Sequence, residues 1–190
     1  GLSGSGKTTI ALLLKEKLEK INKKVKIFDG DDVRKTLHKH LGFTPEDIKE
    51  NNRLILELCL DSLNDFDYIL VPIISPFRES RQNARNVLNE LFIEVYIKCS
   101  LEECIKRDCK GHYKKALAGE IKNFIGIAKE NPYEHPFNPE ITIDTEKESI
   151  EETFKKTDIF IYFCSTALVE AAIRSKVSVQ LMNYPLAADN

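Results

Sequence analysis

Apolar residues in this chain recur with two different periods, and the alternation between them lays out the fold. Ile10, Leu13, Leu14, Leu18 and Ile21 fall at helical spacing, with Lys15, Glu16, Glu19 and Lys20 on the other face, which predicts an amphipathic helix with one buried stripe. Val25–Asp29 (VKIFD) is a short apolar run, as expected of a strand buried in a parallel sheet. Asp32 can cap the helix that carries Arg34 and Leu37. Leu41-Gly42-Phe43 reads as a turn. Thr44-Pro45-Glu46-Asp47 then opens a helix to about Leu63: Thr44 is the N-cap, Pro45 takes the first helical position and Asp47 completes a box-like cap. Tyr68–Ile74 (YILVPII) is a second strand, followed by Ser75-Pro76-Phe77-Arg78 and a polar helix carrying Arg78, Arg81 and Arg85. Phe92–Ile97 (FIEVYI) is a strand, Leu101–Arg107 a short helix, Ile141–Ile143 a strand and Glu148–Lys156 a helix with Ser149 near its start. An alternation this regular predicts an α/β fold, a parallel sheet covered by helices on both faces.

The first eight residues, Gly1-Leu2-Ser3-Gly4-Ser5-Gly6-Lys7-Thr8, fit the P-loop pattern G-x-x-x-x-G-K-[ST]. Glycines let the backbone close around a phosphate with no Cβ in the way, and the inward N–H groups make an anion nest. The helix that starts near Gly6 adds its positive end. Lys7 is expected to reach the β/γ-phosphates of a nucleoside triphosphate and the Thr8 hydroxyl to sit on Mg²⁺, with Thr9 beside them. A Gly/Ser-rich turn before a helix is the other reading, and the apolar helix that follows weighs against it. A P-loop lies between a strand and a helix. Here Gly1 comes first, so the chain reads as a fragment without its first, central strand, and the neighbouring strands are expected to be left unpaired beside an apolar slot.

Composition narrows the field. With 190 residues, 42% hydrophobic and 31% charged, the chain suits one α/β domain with room for an appendage. A net charge of −2 provides no global field for nucleic acid or a membrane, so anions must be held by local clusters. Cys59, Cys99, Cys104, Cys109 and Cys164 form no C-x-x-C pair and fit no common zinc pattern, which points to reduced, mostly buried thiols in a cytoplasmic protein. No apolar run reaches transmembrane length. Asp29-Gly30-Asp31-Asp32 stands at the C-terminal end of a strand, where open α/β sheets bind ligands. From Asp108 to Gly126, Lys110, Lys114, Lys115 and Lys122 alternate with Gly111, Gly119 and Gly126; this suits a mobile segment closing over phosphates, or else a solvated basic helix. Asn131–Pro139, with its three prolines, is a loop.

The P-loop, DGDDVR, LGF, ISPFR, KGHYKKALAGEIKNFIGI and NPEITIDT follow one another in this order. Together they resemble the adenylyl-sulfate kinase family from Gly1 to about Lys156. That resemblance implies a P-loop kinase of sulfate assimilation that phosphorylates the 3′-hydroxyl of adenosine 5′-phosphosulfate with ATP and Mg²⁺, with a homodimer allowed. It makes Lys7 catalytic, and Asp31 the acidic residue beside the metal and the acceptor hydroxyl; a helix-capping aspartate is the other reading of Asp31. It places Phe43 and Phe124 on the two faces of the adenine, core packing being the alternative. Arg34 and Asn51 become substrate contacts, Arg34 gripping the anionic end with its planar fork, and Asp29 and Lys122 join them. Ser75 matches a serine credited with a phosphorylated intermediate; a substrate-positioning hydroxyl fits at least as well, with Arg78 beside it as an anion ligand. Ile48 and Leu117 stand where arginines are common, Ala128 near a common aspartate, and Cys109 in place of a proline or similar residue. Ile48→Arg is therefore expected to tighten acceptor binding. The departures also leave open a kinase of another small alcohol, or a nucleotide-binding module that is no longer catalytic; retention of both Lys7 and Asp31 speaks against the latter.

Beyond Lys156 the pattern changes. Asp158–Phe163, Ser165–Arg174 and Val177–Met182 read as strand, helix and strand. Ser165-Thr166-Ala167-Leu168-Val169-Glu170-Ala171 resembles a nucleotide-binding segment of two-domain glycosyltransferases and sugar-nucleotide epimerases. Residues 157–190 are expected to begin a fused sugar-nucleotide domain or to form a C-terminal extension packed on the kinase.

Overall fold

A computed structural model describes residues 1–149 and 152 of the chain. The elements run α1 (Lys7–Lys20), β1 (Val25–Ile27), α2 (Gly30–Thr36), α3 (Pro45–Ser62), β2 (Tyr68–Leu70) and α4 (Arg78–Leu88). A 3₁₀ turn (Asn89–Leu91) precedes β3 (Val95–Lys98), α5 (Leu101–Arg107), α6 (His112–Leu117) and β4 (Ile141–Asp144). The readings that concern residues 157–190 fall outside the described residues.

Local chemistry explains the boundaries. Asn22 takes a left-handed conformation (φ 58°), and the amides of Asn22 and Lys23 return to the carbonyls of Glu19 and Leu18, closing a Schellman motif. α1 therefore stops at Lys20, and Ile21, expected on the buried stripe, is 52% exposed. Thr44 and Asp47 form the predicted capping box of α3. The N-cap of α2 is Asp29, whose side chain accepts from the Asp31 amide. This corrects the expectation for Asp32, which lies within the first turn of the helix. Ser149 and Glu152 exchange amide-to-side-chain hydrogen bonds of 2.7 and 3.2 Å, a second box near the start of the last predicted helix.

All pairing is parallel. β1 joins β2 in the register Val25↔Tyr68, and β3 joins β4 in the register Val95↔Ile141. The single expected sheet is thus found as two parallel pairs. Each of the four strands keeps one edge with no strand partner among the described residues. The paired stretches are shorter than the apolar runs that announced them; YILVPII pairs only over Tyr68–Leu70, and Pro72 has no N–H to extend a ladder. Gly1 lies against β3, so closely that a Cβ built on it would come 2.1 Å from the Ile97 carbonyl oxygen.

Helices and strands meet in small apolar clusters. Leu14 and Leu18 of α1 bury against Val25, with Tyr68 and Leu70 alongside. Phe28, Val33, Ile55 and Cys59 lock the end of β1 to α2 and α3. Leu2, Cys99, Cys104 and Tyr113 pack beneath the P-loop. Ile48, Phe77 and Ile125 join α3 to the start of α4 and to the segment after α6, with Ile74 packed on them.

The last cluster gives Ile48→Arg a cost in stability that its expected effect on acceptor binding does not include. Ile48 is 1% exposed, so a guanidinium at this place must enter an apolar cluster or pull out of it. Ile48→Arg is expected to destabilise the protein by about 3 kcal/mol or more. Chemical denaturation of the two proteins measures the difference, and an unchanged midpoint overturns this placement.

Candidate functional site

The P-loop is shaped by two left-handed glycines. Gly4 has φ 74° and Gly6 φ 96°, conformations that side chains rarely tolerate. A Cβ on Gly4 would also come 3.3 Å from the Cys104 carbonyl oxygen. Gly6 is the N-cap of α1 and supplies no side-chain cap, so the first amides of the helix are left for an anion. The loop carbonyls are satisfied by side chains. Tyr113 donates its hydroxyl to the Ser3 carbonyl (3.1 Å) and Thr145 to that of Ser5 (3.0 Å). Arg107 in turn holds the Thr145 carbonyl at 2.7 Å. The Lys7 ammonium donates to the Leu2 carbonyl at 2.5 Å. Burial lowers the Lys7 pKa to about 8, with Lys110 adding to the effect and Asp29 and Asp31 opposing it.

The acidic corner lies where β1 ends. Thr8 donates its hydroxyl to Asp29 Oδ2 at 2.8 Å, while Asp29 Oδ1 caps α2. Capping is thus the work of Asp29, and the Asp31 carboxylate is directed elsewhere: its Oδ2 pairs with the Lys110 ammonium, which arrives from the segment before α6. Partial burial would raise the Asp31 pKa, but the Lys110 ammonium outweighs it and holds the carboxyl below its usual range. The same contact raises the Lys110 pKa. Thr8, Asp29 and Asp31 form a hydroxyl and carboxylate set, the hard oxygen donors that Mg²⁺ takes. Among the described residues no three His, Cys, Asp or Glu side chains form a metal cage.

The expected acceptor-side residues come from α2, α3 and the loops around them. Arg34 donates to the Gly42 carbonyl at 2.7 Å, and its guanidinium lies 4.5 Å from the Phe43 ring centroid. Phe43 is half exposed. Phe124 packs edge-on against Tyr113 (5.0 Å) and His112 (6.4 Å). Asn51 is buried and shares a 3.0 Å hydrogen bond with His38 Nδ1. Ser75 Oγ accepts from Asn52 at 2.9 Å. Arg78 faces the 131–139 loop: Nε donates to the His135 carbonyl at 2.8 Å and the guanidinium sits 3.9 Å from the Phe137 ring. Lys122 and Thr9 are exposed. In the basic segment, α6 has one solvated face and one buried face. Lys114 and Lys115 face solvent, but Tyr113 is 1% exposed and anchors α6 to the P-loop. Cys109 and Leu117 are exposed.

Some functional positions carry no signal in the sequence. Tyr113 and Thr145 lie inside recognisable motifs, but hydrogen bonding to loop carbonyls has no local pattern. Lys110 is one cation among several in its segment, and only its contact with Asp31 distinguishes it. Asn131 opens a proline-rich loop, yet it is fully buried.

The chain is similar to known proteins over most of its length. The sequence profile of the family described as adenylylsulphate kinase matches residues 1–144. The adenylyl-sulfate kinase of Staphylococcus epidermidis is 48% identical over 157 residues, 82% of this chain and 78% of that protein. The adenylyl-sulfate kinase of Oceanobacillus iheyensis is 49% identical over 154 residues, 80% of this chain and 76% of that protein. Among solved structures, the Mycobacterium tuberculosis APS kinase CysC in complex with AMPPNP and APS superposes with a TM-score of 0.77 at 37% identity, covering 84% of this chain and 93% of that one.

The buried ammonium has a pH signature. Lys7 titrates at about 8 when folded and near about 10.4 when unfolded. Between those values the unfolded chain holds more protons, so stability rises with pH there, and the cost of the buried charge is fully present below about pH 8. Lys7→Met should stabilise the free protein at neutral pH by up to about 3 kcal/mol. A phosphate chain bound beside Lys7 restores the charge, so binding of tripolyphosphate at about pH 9 should take up a proton. Calorimetry in buffers of different ionisation enthalpy reads that uptake; its absence, or its persistence in Lys7→Met, overturns the assignment.

Proposed function

This chain belongs to the adenylylsulphate kinase family and is an ATP-dependent adenylyl-sulfate kinase, and we propose how its own residues divide the work. The reaction moves the γ-phosphoryl group of ATP to the 3′-hydroxyl of adenosine 5′-phosphosulfate, giving 3′-phosphoadenylyl sulfate and ADP. The observation that carries the assignment is the corner where Asp29 holds Thr8 and Asp31 holds Lys110, directly beside the P-loop.

Residues 1–156 form the kinase unit in this reading. The segment from Gly1 to Thr9 receives the phosphates, and Lys7 gives up the Leu2 carbonyl for a β/γ-phosphate oxygen, exchanging a neutral partner for an anionic one. Thr8 and Asp31 are the residues suited to hold Mg²⁺, which takes one or two protein oxygens and the rest from phosphate and water. When bound, Mg²⁺ neutralises charge on the phosphate oxygens. Asp31, released from Lys110, accepts the proton of the acceptor hydroxyl. Phe43 and Phe124 stack on the adenine, while Asp29, Arg34, Asn51, Arg78 and Lys122 surround the acceptor. Ser75 positions substrate through its place at the end of the second apolar run, since in-line transfer from ATP requires no phosphoserine. Work in the cytoplasm fits nucleotide substrates, and no described helix is long and apolar enough to cross a membrane.

Asp31→Asn keeps the shape of the corner and removes the base. It should lower kcat by about 10²–10⁴-fold and, because Asp31 is also assigned to Mg²⁺, raise the Mg²⁺ concentration needed for half-maximal activity. Ser75→Ala should cost much less and leave the product unaltered. If Ser75→Ala is as inactive as Asp31→Asn, and labelled phosphate is trapped on the wild-type protein, direct transfer is wrong. If adenylyl sulfate is not turned over and another alcohol is, the acceptor assignment is wrong.

A further inference from the structure

Two segments far apart in sequence present the rings assigned above to the adenine, and a single side chain ties them together. Asn131 is fully buried. Its Nδ2 donates to the carbonyl of Phe43 at 2.8 Å and to the carbonyl of Asn123, next to Phe124, at 2.7 Å. An amide nitrogen carries two hydrogens, so both are spent on this bridge. Both neighbours are acceptors, which fixes the amide orientation. The price of that orientation is visible: Asn131 Oδ1 is buried with no hydrogen-bond partner, an arrangement that costs stability.

The two rings depend on this bridge unequally. Phe124 is wedged against Tyr113 and His112 and belongs to the apolar cluster beneath the P-loop. Phe43 is 51% exposed, so packing alone does not hold it. Its turn is held on one side by Arg34, through the Gly42 carbonyl and the ring face, and on the other by Asn131 through its own carbonyl. The backbone of the Asn131 turn is secured separately: the Gly126 amide donates to the Asn131 carbonyl (2.8 Å) and the Asn131 amide to that of Ala128 (3.1 Å). A change of side chain at 131 therefore leaves the turn's own bonds in place.

We propose that Asn131 is a positioning residue for the acceptor: its buried amide sets the separation of Phe43 from Phe124, and with it the fit of an adenine base between them. The proposal rests on the reading of these rings as the base-stacking pair. Stacking responds to spacing, because a ring that moves away from optimal contact loses dispersion quickly. Asn131→Asp is the sharpest variant, since it keeps the shape but turns a carboxylate oxygen toward two carbonyl oxygens. Asn131→Ala removes the bridge without adding a charge, and Asn131→Ser keeps one donor.

Steady-state kinetics of the full chain, with melting temperatures, test the proposal. Asn131→Asp and Asn131→Ala should raise the KM for adenylyl sulfate by about tenfold or more, with the KM for ATP within about twofold; Asn131→Ser should fall between them and the wild type. In a Phe43→Leu background, where the stack is already lost, Asn131→Ala should add less than about threefold. If Asn131→Ala and Asn131→Asp do not fold, Asn131→Ser alone must show the selective rise. The proposal is overturned if both KM values rise together, if neither rises, or if the effects of Phe43→Leu and Asn131→Ala multiply fully. Should Phe43→Leu itself leave the KM for adenylyl sulfate unchanged, the stacking reading fails, and the proposal with it.

Discussion

A loop can offer its amides to an anion only if its carbonyls are satisfied elsewhere. Nearly everything around the P-loop serves that requirement. Tyr113 takes the Ser3 carbonyl, Thr145 that of Ser5 and Lys7 that of Leu2. Those side chains come from α6, from the end of β4 and from α1. The loop is therefore the point at which three distant stretches must meet, and the apolar cluster of Leu2, Cys99, Cys104 and Tyr113 supplies the packing that brings them there.

The resting site is also closed upon itself electrostatically. Lys7 is directed to a carbonyl, Thr8 to Asp29 and Asp31 to Lys110, so each of these three groups already has an internal partner. Desolvated groups left without partners would cost more. The buried ammonium still carries a penalty, seen in its lowered pKa, and a phosphate chain relieves it. For Lys7, the neutral Leu2 carbonyl is a partner that an anionic ligand can replace with a stronger one.

Much of this was legible in the sequence because it is local. The P-loop, the Thr44–Asp47 box and the strand–helix alternation each declare themselves within a few residues. The extent of pairing was less legible, since a strand needs a neighbour: VKIFD and YILVPII are apolar over their whole length but pair over three residues each. The capping role moved from Asp32 to Asp29 because the helix starts earlier than charge alone suggests. Ile48 misled for a different reason. A family pattern locates a position but not its surroundings, and this side chain is turned into a cluster with Phe77 and Ile125. Asn131 and Thr145 act on carbonyls across the fold, and a carbonyl is present at every residue, so no sequence pattern marks which one is chosen.

The Lys110–Asp31 pair also governs how readily Asp31 can take a proton. A nucleotide beside an activated water is lost to hydrolysis, and a free, basic carboxylate is what would activate the water. While the ammonium is in place, Asp31 has depressed basicity and a poor capacity to take a proton. The cation that restrains Asp31 comes from the segment leading into α6, the helix that also anchors the P-loop through Tyr113. One short stretch of chain thus both restrains a carboxylate and holds the loop in shape.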